Sequence, residues 1–122
     1  MKERDYRDYI QDIIESIKEV DSFIMGMDFE DFANDKKTIN AVIRSIEVIG
    51  EATKQIPKSI RIKYPFIPWK KMAGMRDKMI HEYHSIDIEI LWETIKKDIP
   101  SLMPLMNEVL FNEVRTNKNK KV

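Results

Sequence analysis

The sequence predicts an all-α fold: an antiparallel bundle of about four to five helices in one domain. Three observations carry this. Apolar residues recur at spacings of three and four over long stretches, the period of one helix face. Strand-like alternation is nearly absent. Only three glycines occur, Gly26, Gly50 and Gly74, and the breaks between patterns fall at prolines or polar clusters.

The first pattern runs from about Arg4 to Met25, with Tyr6, Ile10, Ile13, Ile14, Ile17, Val20 and Ile24 on one stripe. Residues 21–37 contain DFEDFAND, an acidic connection with room for a helical turn. A second pattern spans about Asp35 to Ile56, with Ile39, Val42, Ile43, Ile46, Ile49 and Thr53 on its apolar side, and Pro57 stops it. The connector PKSIRIKYPFIPW holds three prolines and has room for one short helix. Pro68 suits the first turn of a third helix, where a missing N–H costs nothing, and that helix runs to about Tyr83. Asp87 can cap a fourth pattern through Ile88, Leu91, Trp92, Ile95 and Ile99. Pro100 and Pro104 are expected to kink or restart it before it continues to about Phe111. A single helical domain over 1–112 is expected, with a basic, disordered tail over 113–122.

Trp69 and Trp92 are expected to anchor the core. Met72, Met75, Met79 and Ile80 on the third helix have two readings: monomer core, or an adaptable face between two copies in a homodimer.

Length and composition narrow the function. A chain of 122 residues, 43% hydrophobic and 34% charged, suits one folded domain. Basic and acidic residues balance at 21 each, so a polyanionic partner must be met by a local patch. With no cysteine, disulfides, thiolate metal sites and cysteine nucleophiles are excluded, and a reducing cytoplasm is expected. The N-terminus is charged from its second residue and no apolar run approaches the roughly 20 residues of a membrane span.

The stretch RDKMIHEY, residues 76–83, concentrates the reactive side chains; His81 is one of two histidines and His84 lies beside it. Arg76 and Tyr83 are seven apart and share a helix face, whereas His81 is about 140° round the axis from Arg76. The two meet only if the helix end deforms or a second copy faces the first, which favours a cleft between subunits. Histidine moves protons near neutral pH and arginine matches phosphate oxygens, so the pair suits metal-free cleavage of RNA. The competing reading is a solvated Arg and His, with Tyr83 covering the core. HEYH lacks the second histidine of HExxH, because Ser85 occupies that position, so no metal or other cofactor is expected. On the second helix Arg44, Glu47 and Glu51 stand at i, i+3 and i+7, either as a salt-bridged solvent stripe or as the border of a cleft beside Arg76.

RDKMIHEY fits Arg-x4-His-x-Tyr, a motif of the HEPN superfamily of helical ribonucleases. The chain resembles the HepT branch, toxins whose partner is a minimal nucleotidyltransferase. AVIRSIEVIGEATKQIP is similar to that branch's second helix, and IPWKKMAGMRDKMIHEYHSIDIEILWETIKKDIP to its third and fourth. The likeness covers about residues 4–112. It implies a HEPN-like homodimer in which Arg76 and His81 are the catalytic pair, with Asp77, Glu47 and Glu51 supporting the site. It implies that Tyr83 is AMPylated by the antitoxin, a bulky anion that would fill a cationic site. His84 departs from the pattern, where an aromatic is common. The implied function is that of a type VII toxin, a cytoplasmic endoribonuclease acting on RNA. The alternative is a non-catalytic helical binding subunit of a nucleotidyltransferase complex. A purely structural bundle would be indifferent to loss of Arg76 or His81.

Overall fold

The computed structural model describes residues 4–81 and 87–120, with side chains described except at 76, 78–81 and 115–120. Among these residues the chain is helical and contains no strand. The helices are α1 (Tyr6–Phe23), α2 (Phe29–Ala33), α3 (Lys36–Lys54), α4 (Lys58–Lys63), α5 (Trp69–His81), α6 (Ile88–Glu93) and α7 (Ile99–Lys120), with a π-helical stretch at Thr94–Asp98 joining the last two.

The helix starts are set by aspartates. Asp5 and Asp28 form capping boxes with Asp8 and Asp31 at the starts of α1 and α2. Asp35 accepts from the Thr38 amide at 3.1 Å and the Thr38 hydroxyl at 2.7 Å, which starts α3. Asp87 caps α6 as expected, its Oδ1 accepting from the amides of Glu89 and Ile90. After α1 the chain reverses at Gly26, whose φ of +76° is accessible to glycine at little cost.

Packing follows from the apolar stripes. α3 lies between α1 and α5, and α1 also packs on α7. Ile10, Ile13, Ile14, Ile17 and Val20 of α1 meet Val42, Ile43, Ile46 and Ile49 of α3, all buried. Each contributes roughly 1.5–3 kcal/mol by leaving water. Ser16 and Ser45 are buried on these same two helices. Trp69 and Met72 of α5 join this core, as do Leu91, Ile95, Ile99, Leu102, Met106 and Val109 further along the chain. Trp92 is half-buried, its ring 5.1 Å from that of Phe32 and 6.2 Å from that of Phe29, and so holds α2 against α6.

A new helix starts at Ile99, beside Pro100, as expected, whereas Pro104 departs from expectation. The helix loosens just before Pro100, where the Ile99 amide donates to the Thr94 carbonyl in an i→i−5 bond, and Pro104 sits inside α7 without ending it. A proline ring clashes with the carbonyl four residues back, and a widened turn relieves that contact.

α7 also crosses the boundary expected at 112. Glu113, assigned by sequence to the tail, is buried and bound into the domain. It accepts from Tyr6 at 2.9 Å, from Tyr64 at 2.6 Å and from Lys63 at 2.8 Å, joining α7 to α1 and to the end of α4. The Trp69 indole in turn donates to the Tyr64 carbonyl at 2.9 Å, linking this cluster to the start of α5. Burial pushes the Glu113 carboxyl up, but the three donors outweigh it and hold the group below its ordinary range. Burial first, and then the bond to Glu113, pushes Tyr6 and Tyr64 up to about 12.

The two shifts act at opposite ends of the pH scale. Glu113 stabilises the fold fully above its unfolded pKa, and that contribution is lost as pH falls through its depressed folded value. The tyrosines contribute fully below the unfolded value of 10.0 and lose their contribution as pH rises toward about 12. Urea denaturation across pH should therefore show stability falling at both ends. Glu113→Gln should cost about 2–3 kcal/mol at neutral pH, through poorly matched buried donors, and should flatten the acid limb.

Candidate functional site

The motif begins on α5, which packs along α3. Arg76 and His81 both lie in α5, His81 as its last residue. Their side chains, and the whole of Tyr83 and His84, lie outside what is described. The structure describes the frame around the motif.

That frame begins with α3. Its last carbonyls are capped from α4: the Arg61 guanidinium donates to the Thr53 carbonyl at 2.8 Å and to the Ile56 carbonyl at 3.1 Å. The end of α3 is thereby held at a fixed place beside α5. From it Lys54 reaches across the seam and donates to both oxygens of Asp77, at 3.1 and 3.3 Å. Asp77 is half-exposed, so this bond orients the carboxylate more than it stabilises the fold. The backbone position before Asp77 is Arg76, so the α3–α5 tie sits next to the motif arginine.

Glu47, Glu51 and Lys54 stand at i, i+4 and i+7 on α3 and so share a stripe. Arg44 approaches Glu47 at 3.8 Å, a loose pair with the arginine largely exposed. Glu51 lines a polar cleft of about 350 Å³ between α1 and α3, together with Arg4, Tyr9, Asp12, Arg44 and Gln55. The expected supporting residues Glu47 and Glu51 thus lie on the stripe that Lys54 links to Asp77. Lys54 is the residue that sequence reading missed. Its signal was present, since it continues the Arg44, Glu47, Glu51 stripe by one turn. Its partner, 23 positions away on another helix, had no local signature.

Trp69 and Met72 bury the first turn of α5, while Gly74 is exposed and, among the described residues, a methyl group added there would meet no atom beyond its own helix backbone within 4 Å. No helix among the described residues is long and apolar enough to cross a membrane.

Comparison with known proteins places this frame in a family. The family model described as HepT-like, ribonuclease HepT-like, matches residues 13–109, which include all of α3, α5 and the motif. A protein of Thermococcus cleftensis named "Probable ribonuclease HepT" is 52% identical over 99 residues, covering 81% of this chain and 90% of that protein. Two proteins, each named a "Putative RNase", are similar at comparable length. One, from Methanocaldococcus jannaschii, is 46% identical over 110 residues, covering 90% of this chain and 95% of that protein. The other, from Caldanaerobacter subterraneus subsp. tengcongensis, is 44% identical over 107 residues, covering 88% and 96%. No solved structure matches the chain. With a family model matched over most of its length and relatives this similar end to end, the chain belongs to the HepT-like ribonuclease family.

Proposed function

We propose that this ribonuclease is the toxin of a type VII toxin–antitoxin pair: a cytoplasmic, homodimeric endoribonuclease that cuts RNA without a metal. Its partner is a minimal nucleotidyltransferase antitoxin that silences it by attaching AMP to Tyr83. The observation that carries this reading is the family match over residues 13–109, which spans Arg76-x4-His81-x-Tyr83 intact.

The chemistry follows from the two side-chain types. The 2′-hydroxyl of a ribose attacks the adjacent phosphorus, and the bond to the 5′-oxygen of the next nucleotide breaks. His81 takes the hydroxyl proton or supplies one to the leaving oxygen. Arg76 stabilises the charge that gathers on the phosphorane oxygens. Asp77, bonded to Lys54, is the polar residue next to Arg76 that orients or tunes the pair. AMP on Tyr83 would set a phosphate against Arg76 and His81 and exclude the substrate's own phosphate.

Gly74 supports the dimer. A glycine in an exposed helix interior costs about 0.5–1 kcal/mol relative to alanine, and nothing near it among the described residues requires one. A second copy approaching α5 closely does require one, and it would bring two copies of the motif to one cleft.

Wild-type protein should cleave RNA in EDTA, and Arg76→Ala or His81→Ala should lose cleavage by about 100-fold or more while remaining folded. A wild-type enzyme silenced by EDTA, or a His81→Ala variant as active as its parent, would sink the mechanism. Asp77→Asn should change stability by less than about 1 kcal/mol, because its partner is exposed, yet lower cleavage by about 10-fold or more. Mass spectrometry of protein co-expressed with its antitoxin should place the added AMP on Tyr83. Gly74→Ala should weaken the dimer in sedimentation velocity. A stabilised chain with an unchanged dimer would move the interface elsewhere.

A further inference from the structure

Between Glu51 and Asp77 the chain carries seven basic residues, Lys54, Lys58, Arg61, Lys63, Lys70, Lys71 and Arg76, and no acidic one. The whole protein has no net charge, so this segregation makes a local cationic surface. The structure shows how much of the charge is spent internally. Lys54 is paired with Asp77 and Lys63 with Glu113. Lys71 meets Asp98 only at 3.7 Å, with both side chains largely in water, which neutralises little. Among the described residues Arg61 bonds only to neutral carbonyls, so none of these bonds offsets its charge. Lys58 and Lys70 are exposed and make no ion pair among the described residues.

The same segment exposes apolar side chains that its neighbours leave uncovered. Phe66 is 59% exposed and Ile62 66%. The Phe66 ring is set edge-on to the buried Tyr64 ring, 6.4 Å away at 73°, and Tyr64 is itself fixed by Glu113. The chain passes from a shallow hollow lined by Lys58, Arg61, Ile62 and Pro65, through Phe66, to a second one lined by Pro68, Lys70 and Lys71. An exposed aromatic face beside cations that make no ion pair among the described residues is the combination that binds single-stranded nucleic acid: cations follow the backbone and bases stack. α5 leads directly from this surface to Arg76, about 10 Å along the axis from Trp69 at 1.5 Å per residue.

We propose that the α4–α5 elbow, residues 58–71, is an extended subsite for single-stranded RNA, with Lys58, Arg61 and Lys70 on its phosphates and Phe66 stacked on a base. This rests on the ribonuclease reading above. The subsite holds the strand that runs away from the cleavage point, so it governs affinity for long RNA rather than the chemistry of one bond.

The test uses the full chain and a fluorescein-labelled oligouridylate of about 20 nucleotides, with binding read by anisotropy in the His81→Ala background so that the probe survives. Lys58→Gln with Lys70→Gln should weaken binding about tenfold and reduce the slope of log affinity against log salt by about 1.4, at about 0.7 per phosphate contact. Phe66→Ala should weaken it about fivefold or more, and Phe66→Trp should restore it. With His81 intact, cleavage of the dinucleotide UpA should be the same in parent and variants, because a dinucleotide does not reach the elbow. Circular dichroism checks that each variant is folded. Oligouridylate affinity and salt slope unchanged in both variants would overturn the subsite, as would a parent that does not bind the probe. Loss of UpA cleavage in step with oligouridylate binding would overturn it too, by placing these residues at the cleavage point. Unchanged RNA affinity with lost binding to the nucleotidyltransferase would overturn it in favour of a protein dock. A parent that cleaves no RNA, yet whose oligouridylate binding falls as stated, would leave the subsite standing and refute the ribonuclease reading alone.

Discussion

A single buried carboxylate sets the geometry on which the rest of the molecule depends. Glu113 collects hydrogen bonds from α1, through Tyr6, and from the end of α4, through Lys63 and Tyr64. An ion in that position is costly unless its oxygens are fully engaged, and three donors engage them. Tyr64 then passes the constraint on, because its carbonyl receives the Trp69 indole at the first residue of α5. The placement of the motif helix is therefore fixed at its start by a contact made near the far end of the chain.

A second constraint acts at the other side of α5. Arg61 caps the end of α3, and Lys54 from that same end holds Asp77. The segment from Lys54 to Asp77 is thus tied at both limits, with the α4–α5 elbow between them. This arrangement gives a neutral chain one stretch whose charge is all cationic. Acidic residues are kept out of one stretch, and Glu113, which meets it from α7, is occupied in holding the fold.

Much of the fold was legible from spacing. The stripes of α1 and α3, the short helix in the acidic connection and the Asp87 cap are local patterns, and local patterns survive into the structure when each buried face finds another. The role of Glu113 was not legible. A glutamate in a polar C-terminal stretch reads as solvated, and only partners 49, 50 and 107 positions away make it a core residue. The site divides in the same way. The stripe of Glu47 and Glu51 was visible at helical spacing, whereas the reach of Lys54 across to Asp77 depends on how α3 and α5 cross. Pro100 and Pro104 were read as kinks or restarts because proline is a local signal. The compensating slack in the helix before Pro100 belongs to the backbone of residues that carry no signal of their own.

That slack has a geometric effect beyond the proline. Leu91, Ile95 and Ile99 are all buried, at successive spacings of four, and then Leu102, Met106 and Val109 follow at three, four and three. Ordinary α winding would carry Ile99 about 80° round the axis from Leu91. Bonds from i to i−5 put more residues into each turn, so a spacing of four stays in line through Thr94–Asp98. The stretch behaves as an unwound thread in a screw, turning everything after it back onto the face already in contact with the core. Whether Glu113 ends up toward Tyr6 or toward water is decided by the angle set there.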